Sequence, residues 1–282
     1  MSGAGNLFSV IDNRKYKFDI NTLKQLSPIL CSKNEYNNFI SEGFIAIEDS
    51  DSYDFTAKFF NPDGSFGAMC GNGGRCAVHF AFHNKFFTNN ANILFDMADN
   101  IYEAKIERDG NITLKFPPPV EIVLNKIIEI DTLNFNLTYI DVGSPHAVIN
   151  YSELNLNMPF REFDISKYGK SIRYHNEFQP SGVNANFYLI DKNCIQLRTY
   201  ERGVEAETGA CGTGAISTAI AGHFLHGLPF PITIIPPSRQ PLSVNCTLVG
   251  NTITNLFLCG PTDILNKTTI DIPKFFLEAS ND

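Results

Sequence analysis

Two stretches of the chain alternate apolar and polar side chains with a period of two. Phe55-Thr56-Ala57-Lys58-Phe59-Phe60 stops at Asn61, and Ile195-Gln196-Leu197-Arg198-Thr199-Tyr200 stops at Glu201. Such alternation predicts a strand with one face on the core. Shortly beyond each stop the pattern changes. Cys70-Gly71-Asn72-Gly73-Gly74 runs into an apolar stretch over 76–87, and Cys211-Gly212-Thr213-Gly214-Ala215 runs into one over 216–225. Both stretches are almost free of charge, so each predicts a helix that starts just after its cysteine and lies inside the fold.

The two cysteines are 141 positions apart, and the surrounding landmarks repeat in the same order. Gly5-Asn6-Leu7-Phe8-Ser9-Val10-Ile11-Asp12 lines up with Gly143-Ser144-Pro145-His146-Ala147-Val148-Ile149-Asn150. Pattern alone then sets Gly43-Phe44-Ile45-Ala46-Ile47-Glu48 against Asn186-Phe187-Tyr188-Leu189-Ile190-Asp191. This internal repeat predicts an α+β fold of two pseudo-symmetric lobes, each a curved mixed or antiparallel sheet around one central apolar helix. Pro117-Pro118-Pro119 suits neither helix nor sheet interior and marks the crossover between lobes. A second crossing is expected near Gly260-Pro261, with 271–276 returning as an edge strand. The expected lobes are residues 1–117 together with about 261–282, and residues 118–260.

Composition narrows the partner more than the fold. A chain of 282 residues with 43% hydrophobic and 18% charged residues is globular, not disordered, collagenous or coiled coil. With 22 basic and 30 acidic residues the net charge is −8, which disfavours nucleic acid and anionic membranes and leaves a small molecule as the expected partner. Neither a leader pattern nor an apolar stretch of membrane-spanning length is evident, and the odd number of seven cysteines reads as reduced thiols. A cytoplasmic location is expected, and a homodimer is compatible with these features.

A Gly-rich segment opening a helix offers free backbone N–H groups and the positive end of the helix dipole. The same field is expected to lower a cysteine pKa from about 8.5 toward the range of roughly 3.5–7.5. Two such thiols related by pseudo-symmetry, approaching one molecule from opposite sides of a cleft between lobes, suit inversion of a carbon stereocentre. One takes the proton from one face and the other returns it to the opposite face. Cys76, His79 and His83 have spacing that invites a metal, but no fourth ligand is evident, so no metal is expected. Nor is a nicotinamide or pyridoxal phosphate cofactor, because no complete dinucleotide loop or suitable lysine is present.

The residues that carry this chemistry resemble the diaminopimelate epimerase family. They are Asn61-Pro62-Asp63-Gly64-Ser65, Met69-Cys70-Gly71-Asn72-Gly73-Gly74-Arg75-Cys76, Gly143-Ser144-Pro145-His146, Gly182-Val183-Asn184, Glu201-Arg202-Gly203 and Glu207-Thr208-Gly209-Ala210-Cys211-Gly212-Thr213-Gly214. The resemblance runs from Gly3 to about Pro261. It implies a cofactor-independent epimerase interconverting LL- and meso-diaminopimelate, in lysine and peptidoglycan precursor biosynthesis, on a fold shared with phenazine-biosynthesis and proline racemase relatives. It further implies that Cys70 and Cys211 form the acid/base pair, with Cys70 facing the LL isomer. Gly71, Asn72, Gly212 and Thr213 would donate to the reacting carboxylate. Asn6, Asn61, Asn184, Glu201 and Arg202 would hold the remaining groups, and His146 would sit close to a catalytic thiol.

Three positions depart from the family pattern. Ser144 stands where the family usually has Asn. Glu201 lies ten positions before Cys211, whereas Asn61 lies nine before Cys70, so 204–206 holds one extra residue, expected in a surface bulge. The segment 31–42 replaces the family's Gly-rich segment, so no substrate contact is transferred there. Two rival classes are a proline or hydroxyproline racemase, which should lack the Asn61 and Glu201-Arg202 contacts for a second amino-acid head, and a non-catalytic amino-acid-binding relative, which should lose one of the two cysteines.

Overall fold

Strand 43–48 illustrates how the layers form. Its run of apolar residues leaves no polar face, which suits a strand covered on both sides. In the computed structural model, which describes residues 1–34, 38–67, 70–88, 91–130, 133–192 and 194–270, Ile45 and Ile47 pack in the large central cluster while Phe44 and Ala46 pack beneath an outer helix.

The first half comprises β1 (Ser2–Gly3), β2 (Asn6–Asp12), α1 (Ile20–Cys31), β3 (Gly43–Glu48), β4 (Phe55–Phe60), α2 (Gly71–His83), β5 (Ile93–Met97), β6 (Asn100–Ile106) and β7 (Ile112–Phe116). Next come β8 (Glu121–Ile130), β9 (Leu133–Asp141), β10 (Pro145–Asn150), α3 (Ile165–Arg173), β11 (Asn184–Asp191), β12 (Cys194–Glu201) and β13 (Ala206–Glu207). The chain continues through α4 (Gly212–His226), β14 (Ile232–Ile235), β15 (Leu242–Val249), β16 (Thr252–Gly260) and β17 (Thr262–Asp263). All the strands belong to one hydrogen-bonded sheet.

The pairing in that sheet repeats. β2–β3 is parallel, β3–β4 antiparallel, β4–β5 parallel, and β5–β6 and β6–β7 antiparallel. The same series runs through β10, β11, β12, β14, β15 and β16. The two series join where β7 pairs antiparallel with β16, with Leu114 opposite Leu258. Ala104 faces Leu114 as Val244 faces Leu258, so these leucines are equivalent and the pseudo-two-fold axis passes between them.

The ladders correct one alignment made from pattern. Phe8 pairs with Gly43 as its equivalent His146 pairs with Asn184, so Gly43 corresponds to Asn184 and Ile45 to Asn186. Packing agrees: a Cβ on Gly73 would lie 3.5 Å from Ile45 Cδ1, and one on the equivalent Gly214 would lie 2.5 Å from Asn186 Oδ1. A slip of two residues leaves every side chain on its own face, so alternation cannot detect it.

Both cysteine-led helices lie on the inner face of the sheet, in one cluster that includes Val78, Ala81, Ile216 and Ile220. α4 is apolar or small on every side and ends at Gly227, whose φ of 68° places it in the left-handed region favoured by glycine. The outer faces are covered by α1 and α3, which present Leu23 and Leu26 in one half and Ile165 and Ile172 in the other. Each outer helix starts on an aspartate: Asp19 accepts from Thr22 N–H and Asp164 from Lys167 N–H.

Pro117-Pro118-Pro119 falls between β7 and β8. After Gly260 the chain returns at once to the beginning, where β17 pairs with β1, Thr262 opposite Gly3. The edge strand expected over 271–276 lies outside the described residues. Among the described residues, no helix is long and apolar enough to cross a membrane.

Candidate active site

Cys70 and Cys211 are the N-cap residues of α2 and α4, with nearly identical extended backbones (φ −109°, ψ 116° and φ −114°, ψ 115°). Gly74 and Ala215 N–H already donate to the carbonyls of Cys70 and Cys211. The N–H groups of Gly71, Gly212 and Thr213 have no acceptor among the described residues, as expected of a first helical turn, and the Asn72 N–H faces the Cys70 sulfur. The two helix starts meet: a Cβ on Gly212 would lie 3.7 Å from Gly71 Cα and 3.1 Å from Leu258 Cδ2. Glycine at these positions lets two positively polarised ends converge over the central strand pair.

The thiols do not carry the lowered pKa expected from sequence. Burial pushes Cys70 up to about 11, against the Gly73 and Asn72 N–H groups, and Glu201 and Glu42 push it further. Cys211 is raised well above the ordinary thiol value, again by burial first and Glu201 second, against hydrogen bonds from Thr213 and Gly214. Gly214 N–H donates to Cys211 Sγ at 3.3 Å, and Thr213 Oγ1 lies 3.6 Å from it. The helix field is present, but desolvation outweighs it. A smaller contribution from Cys70 raises Cys211 further.

Several other expected residues converge here. Asn6 Nδ2 and Asn72 Nδ2, both from the first half of the chain, donate at 3.0 Å to the carbonyl of Ala210, just ahead of Cys211. Asn6 Oδ1 is buried without a partner and remains an acceptor. Glu201 accepts from Thr208 Oγ1 at 2.7 Å, and burial raises its pKa. Asn184 links its neighbours: its Oδ1 accepts from Arg202 N–H at 2.8 Å, and its Nδ2 donates to Ser144 Oγ and the Pro145 carbonyl, each at 3.0 Å. The Arg202 guanidinium reaches the Ser181 carbonyl and pairs with no carboxylate among the described residues. Asn61 ends β4 as Glu201 ends β12, but its Nδ2 is spent within its own turn, on Ser65 Oγ and the Phe66 carbonyl.

His146 is fully buried and its pKa is lowered to about 3, chiefly by burial, so it is neutral. Asn186 Nδ2 lies 3.0 Å from His146 Nδ1, which makes Nδ1 the acceptor and puts the proton on Nε2, a buried atom with no partner. Asn186 is one of three residues that the sequence reading passed over. It is a carboxamide on the inner face of an otherwise apolar strand, and its Oδ1 also accepts from Thr199 Oγ1 at 2.9 Å. The second is Glu42, exposed as a residue, whose carboxyl is raised to about 7 by partial desolvation and by Glu201. The third is Arg75, fully buried within α2. A charged residue in a stretch otherwise free of charge was the available signal.

Ser144, in place of the family's usual Asn, is held by Asn184 through its hydroxyl. The extra residue before Cys211 lies in a turn: Phe60 bridges Phe66 across five residues, whereas Tyr200 pairs with Glu207 across six. Gly203 (φ 91°) and Glu205 (φ 57°) give that turn its left-handed backbone. Of the residues with metal-like spacing, His79 Nδ1 lies 2.7 Å from Thr262 Oγ1 and His83 Nε2 lies 3.0 Å from Lys267 Nζ. Among the described residues no group of three or more His, Cys, Asp or Glu is arranged to hold a metal ion.

Comparison with known proteins extends this picture. In solved structures the fold is similar to a PhzF-family phenazine biosynthesis protein of Bacillus anthracis (TM-score 0.67, 10% identity, 92% of this chain and 91% of that one). It is also similar to a hydroxyproline epimerase of Agrobacterium vitis (TM-score 0.63, 16% identity, 92% and 87%). In sequence the chain is 33% identical to the diaminopimelate epimerase of Aquifex aeolicus over 92% of both chains. It is 33% identical to that of Flavobacterium psychrophilum over 95% of this chain and 97% of the relative. The family model described as diaminopimelate epimerase matches residues 1–120 and 138–238, and with these relatives it shows that the chain belongs to the diaminopimelate epimerase family.

Proposed function

We propose that this chain interconverts LL- and meso-diaminopimelate by proton transfer at Cα between the Cys70 and Cys211 sulfurs, without a cofactor, in the cytoplasmic supply of lysine and peptidoglycan precursors. The observation that carries this reading is the meeting of two cysteine-capped helices, with the unpartnered N–H groups of Gly71, Gly212 and Thr213, and the Asn72 N–H beside the Cys70 sulfur, around one point. The substrate lies in a cleft between the halves, its reacting carboxylate at those donors. One sulfur, as thiolate, removes the Cα proton. The electron pair is delocalised into the carboxylate, and the other sulfur, as thiol, delivers its proton to the opposite face. One well-placed base contributes about 10²–10⁴ in rate, so most of the acceleration falls to the helix donors, which stabilise the enediolate-like charge.

The raised thiol pKa values fit a site that is completed by its substrate. Glu201, which disfavours both thiolates, gains the substrate ammonium as counter-charge, with Asn6 Oδ1 as a further acceptor. Arg202, free of any carboxylate partner among the described residues, takes the distal carboxylate through its planar fork, beside Asn184 and Ser144. Asn61 and the neutral His146 complete the set as holding and supporting residues.

Incubating reduced protein with LL-diaminopimelate in D₂O, with no cofactor added, tests this function directly. Loss of the α-proton signal by NMR together with appearance of the meso isomer by chiral chromatography is the expected result. No exchange with diaminopimelate, and inversion of proline derivatives instead, would keep the two thiols but move the chain to the proline racemase reaction.

A further inference from the structure

The outer edge of β2 is covered over only part of its length. Phe8 exchanges both backbone hydrogen bonds with Met1, so the next backbone groups to face outward along that edge are those of Val10. The Val10 N–H and C=O have no partner among the described residues. Beside them runs a groove of about 450 Å³ whose opposite wall is the segment 264–270, lined by Val10, Ile11, Phe18, Leu26, Ile264 and Ile270 among others. The other half shows what fills this place. By the ladders Leu7 is equivalent to Pro145, Ser2 to Asp141 and Asp263 to Glu121. The groove therefore occupies the position of β9, which lies between β10 and β8. Beside β9, Val148 and Ile149 are 1% and 0% exposed, whereas their equivalents Val10 and Ile11 are only partly buried.

We propose that residues 275–281 are the strand this groove receives, so that the first half is completed by a hairpin like that of β8 and β9. Counting on from Asp263 and Glu121 sets Ile270-Asp271-Ile272 against Ile128-Glu129-Ile130, the same alternation in the same place. Ile128 and Ile130 are buried in the cluster beneath α3. Pro273-Lys274 then stands where two residues separate β8 from β9, and a proline, which has no N–H for a ladder, suits the end of a strand. Residues 275–281 correspond to 133–139. Leu277 matches Phe135 and Ala279 matches Leu137, both buried beneath α3, while Glu278 matches the exposed Asn136 and Ser280 matches Thr138. Phe276 is the exception, in the place of the exposed Asn134. The α3 cluster draws Ile128, Ile130, Phe135 and Leu137 from β8 and β9, and the α1 cluster has no counterpart to them among the described residues. The strand supplies that apolar surface and pairs an edge that would otherwise accept a foreign strand. It also braces β2, whose first residue, Asn6, holds the Ala210 carbonyl next to Cys211.

The test is amide hydrogen exchange of the reduced, full-length chain, followed by NMR at the Val10 N–H. Pairing of the edge should slow this amide at least about 100-fold relative to an unstructured peptide. Leu277→Asp, which turns a charge into the cluster beneath α1, should speed it at least about 10-fold. Glu278→Lys, one residue on and therefore on the other face, should leave it unchanged. Amides of β3 should keep their protection in both variants. In the wild type, Hα–Hα NOEs between Ser9 and Asn281 and between Ile11 and Ala279 should identify the partner strand directly. An unprotected Val10 amide, or absence of these NOEs, would overturn the proposal even if neither variant folds. So would protection that a folded Leu277→Asp protein retains, which would assign the edge to another segment. Protection that disappears as a dimer is diluted to monomer would assign the strand to a second copy and overturn it likewise.

Discussion

Gly71 and Gly212, each the first residue of a central helix, abut across the pseudo-two-fold axis, so closely that a Cβ on Gly212 would stand 3.7 Å from Gly71 Cα. That contact converts a repeat in the sequence into one site. Two helix ends, each with free donors and a sulfur, are brought to one point by the β7–β16 pair beneath them, where Leu258 Cδ2 would lie 3.4 Å and 3.1 Å from Cβ atoms on Gly71 and Gly212.

Gly212→Ala therefore tests the junction. The added methyl presses on Leu258 Cδ2, 3.1 Å away, and fills the space up to the facing helix at an ordinary 3.7 Å, an overpacking of about 1–3 kcal/mol. The expected result is a drop of several degrees in Tm and a larger proportional loss of kcat, because the donors on both helices move apart. Combining it with Leu258→Val should recover part of the loss. Unchanged kcat in the single variant would show that the junction does not set the donor geometry.

Substitution of the cysteines separates chemistry from packing. Cys70→Ser and Cys211→Ser should each nearly abolish epimerisation, by at least about 10²-fold, since each removes one of two proton carriers. Cys76→Ser, at a buried position within α2, should retain substantial activity. Normal turnover in either of the first two would refute the two-thiol mechanism.

Glu42 offers a pH test with a definite sign. Its folded pKa of about 7 lies above the ordinary carboxyl value, because partial desolvation of the carboxyl, on a residue that is itself exposed, and the Glu201 charge disfavour ionisation. A raised carboxyl binds an extra proton in the folded state. It thus favours folding below the unfolded value of about 4.5 and loses that contribution as pH rises to about 7. In Glu42→Gln this fall in stability should shrink, by an amount limited by water access to the side chain. Removing the negative neighbour should also lower the Glu201 pKa, moving the acid limb of kcat/KM to lower pH. An acid limb that stays in place would mean the two carboxyls do not interact in the working site.

Arg202→Lys asks whether the guanidinium serves a carboxylate. Losing a bidentate fork should raise KM for diaminopimelate roughly 10-fold or more while changing kcat less. An equal fall in kcat with KM unchanged would instead assign Arg202 to the transition state.

Much of this was legible in the sequence because two periodicities and two Gly-rich turns are local signals. The strands ending at Asn61 and Glu201 and the helices starting after Cys70 and Cys211 all follow from short-range pattern. Three things did not. The partnership of Gly43 with Asn184 needed the ladder, since a two-residue slip is silent in alternation. The direction of the thiol pKa needed burial, because a helix terminus announces its field in sequence but not its desolvation. The role of Asn186 needed contacts, since a polar residue in an apolar run does not name its partner.

Asn186 is the most exacting of these cases. Its carboxamide gives one N–H to His146 Nδ1 at 3.0 Å and accepts from Thr199 Oγ1 at 2.9 Å, in a place where neither partner meets water. Asn186→Leu would leave the His146 ring without its tautomer-fixing bond and the Thr199 hydroxyl without an acceptor. Each orphaned buried group costs about 1–3 kcal/mol, so a loss of about 2–6 kcal/mol is expected in urea unfolding, at unchanged m-value. Asn186→Asp keeps an acceptor for Thr199 but, when ionised, offers no donor to Nδ1. It should therefore favour a proton on Nδ1 and invert the tautomer. The ¹⁵N shifts of His146 read that inversion directly: Nε2 protonated in the wild type, Nδ1 protonated in Asn186→Asp. If activity follows the tautomer while both variants remain folded, Asn186 acts through His146. If the shifts invert and turnover does not change, the imidazole is a packed core residue and takes no part in the reaction.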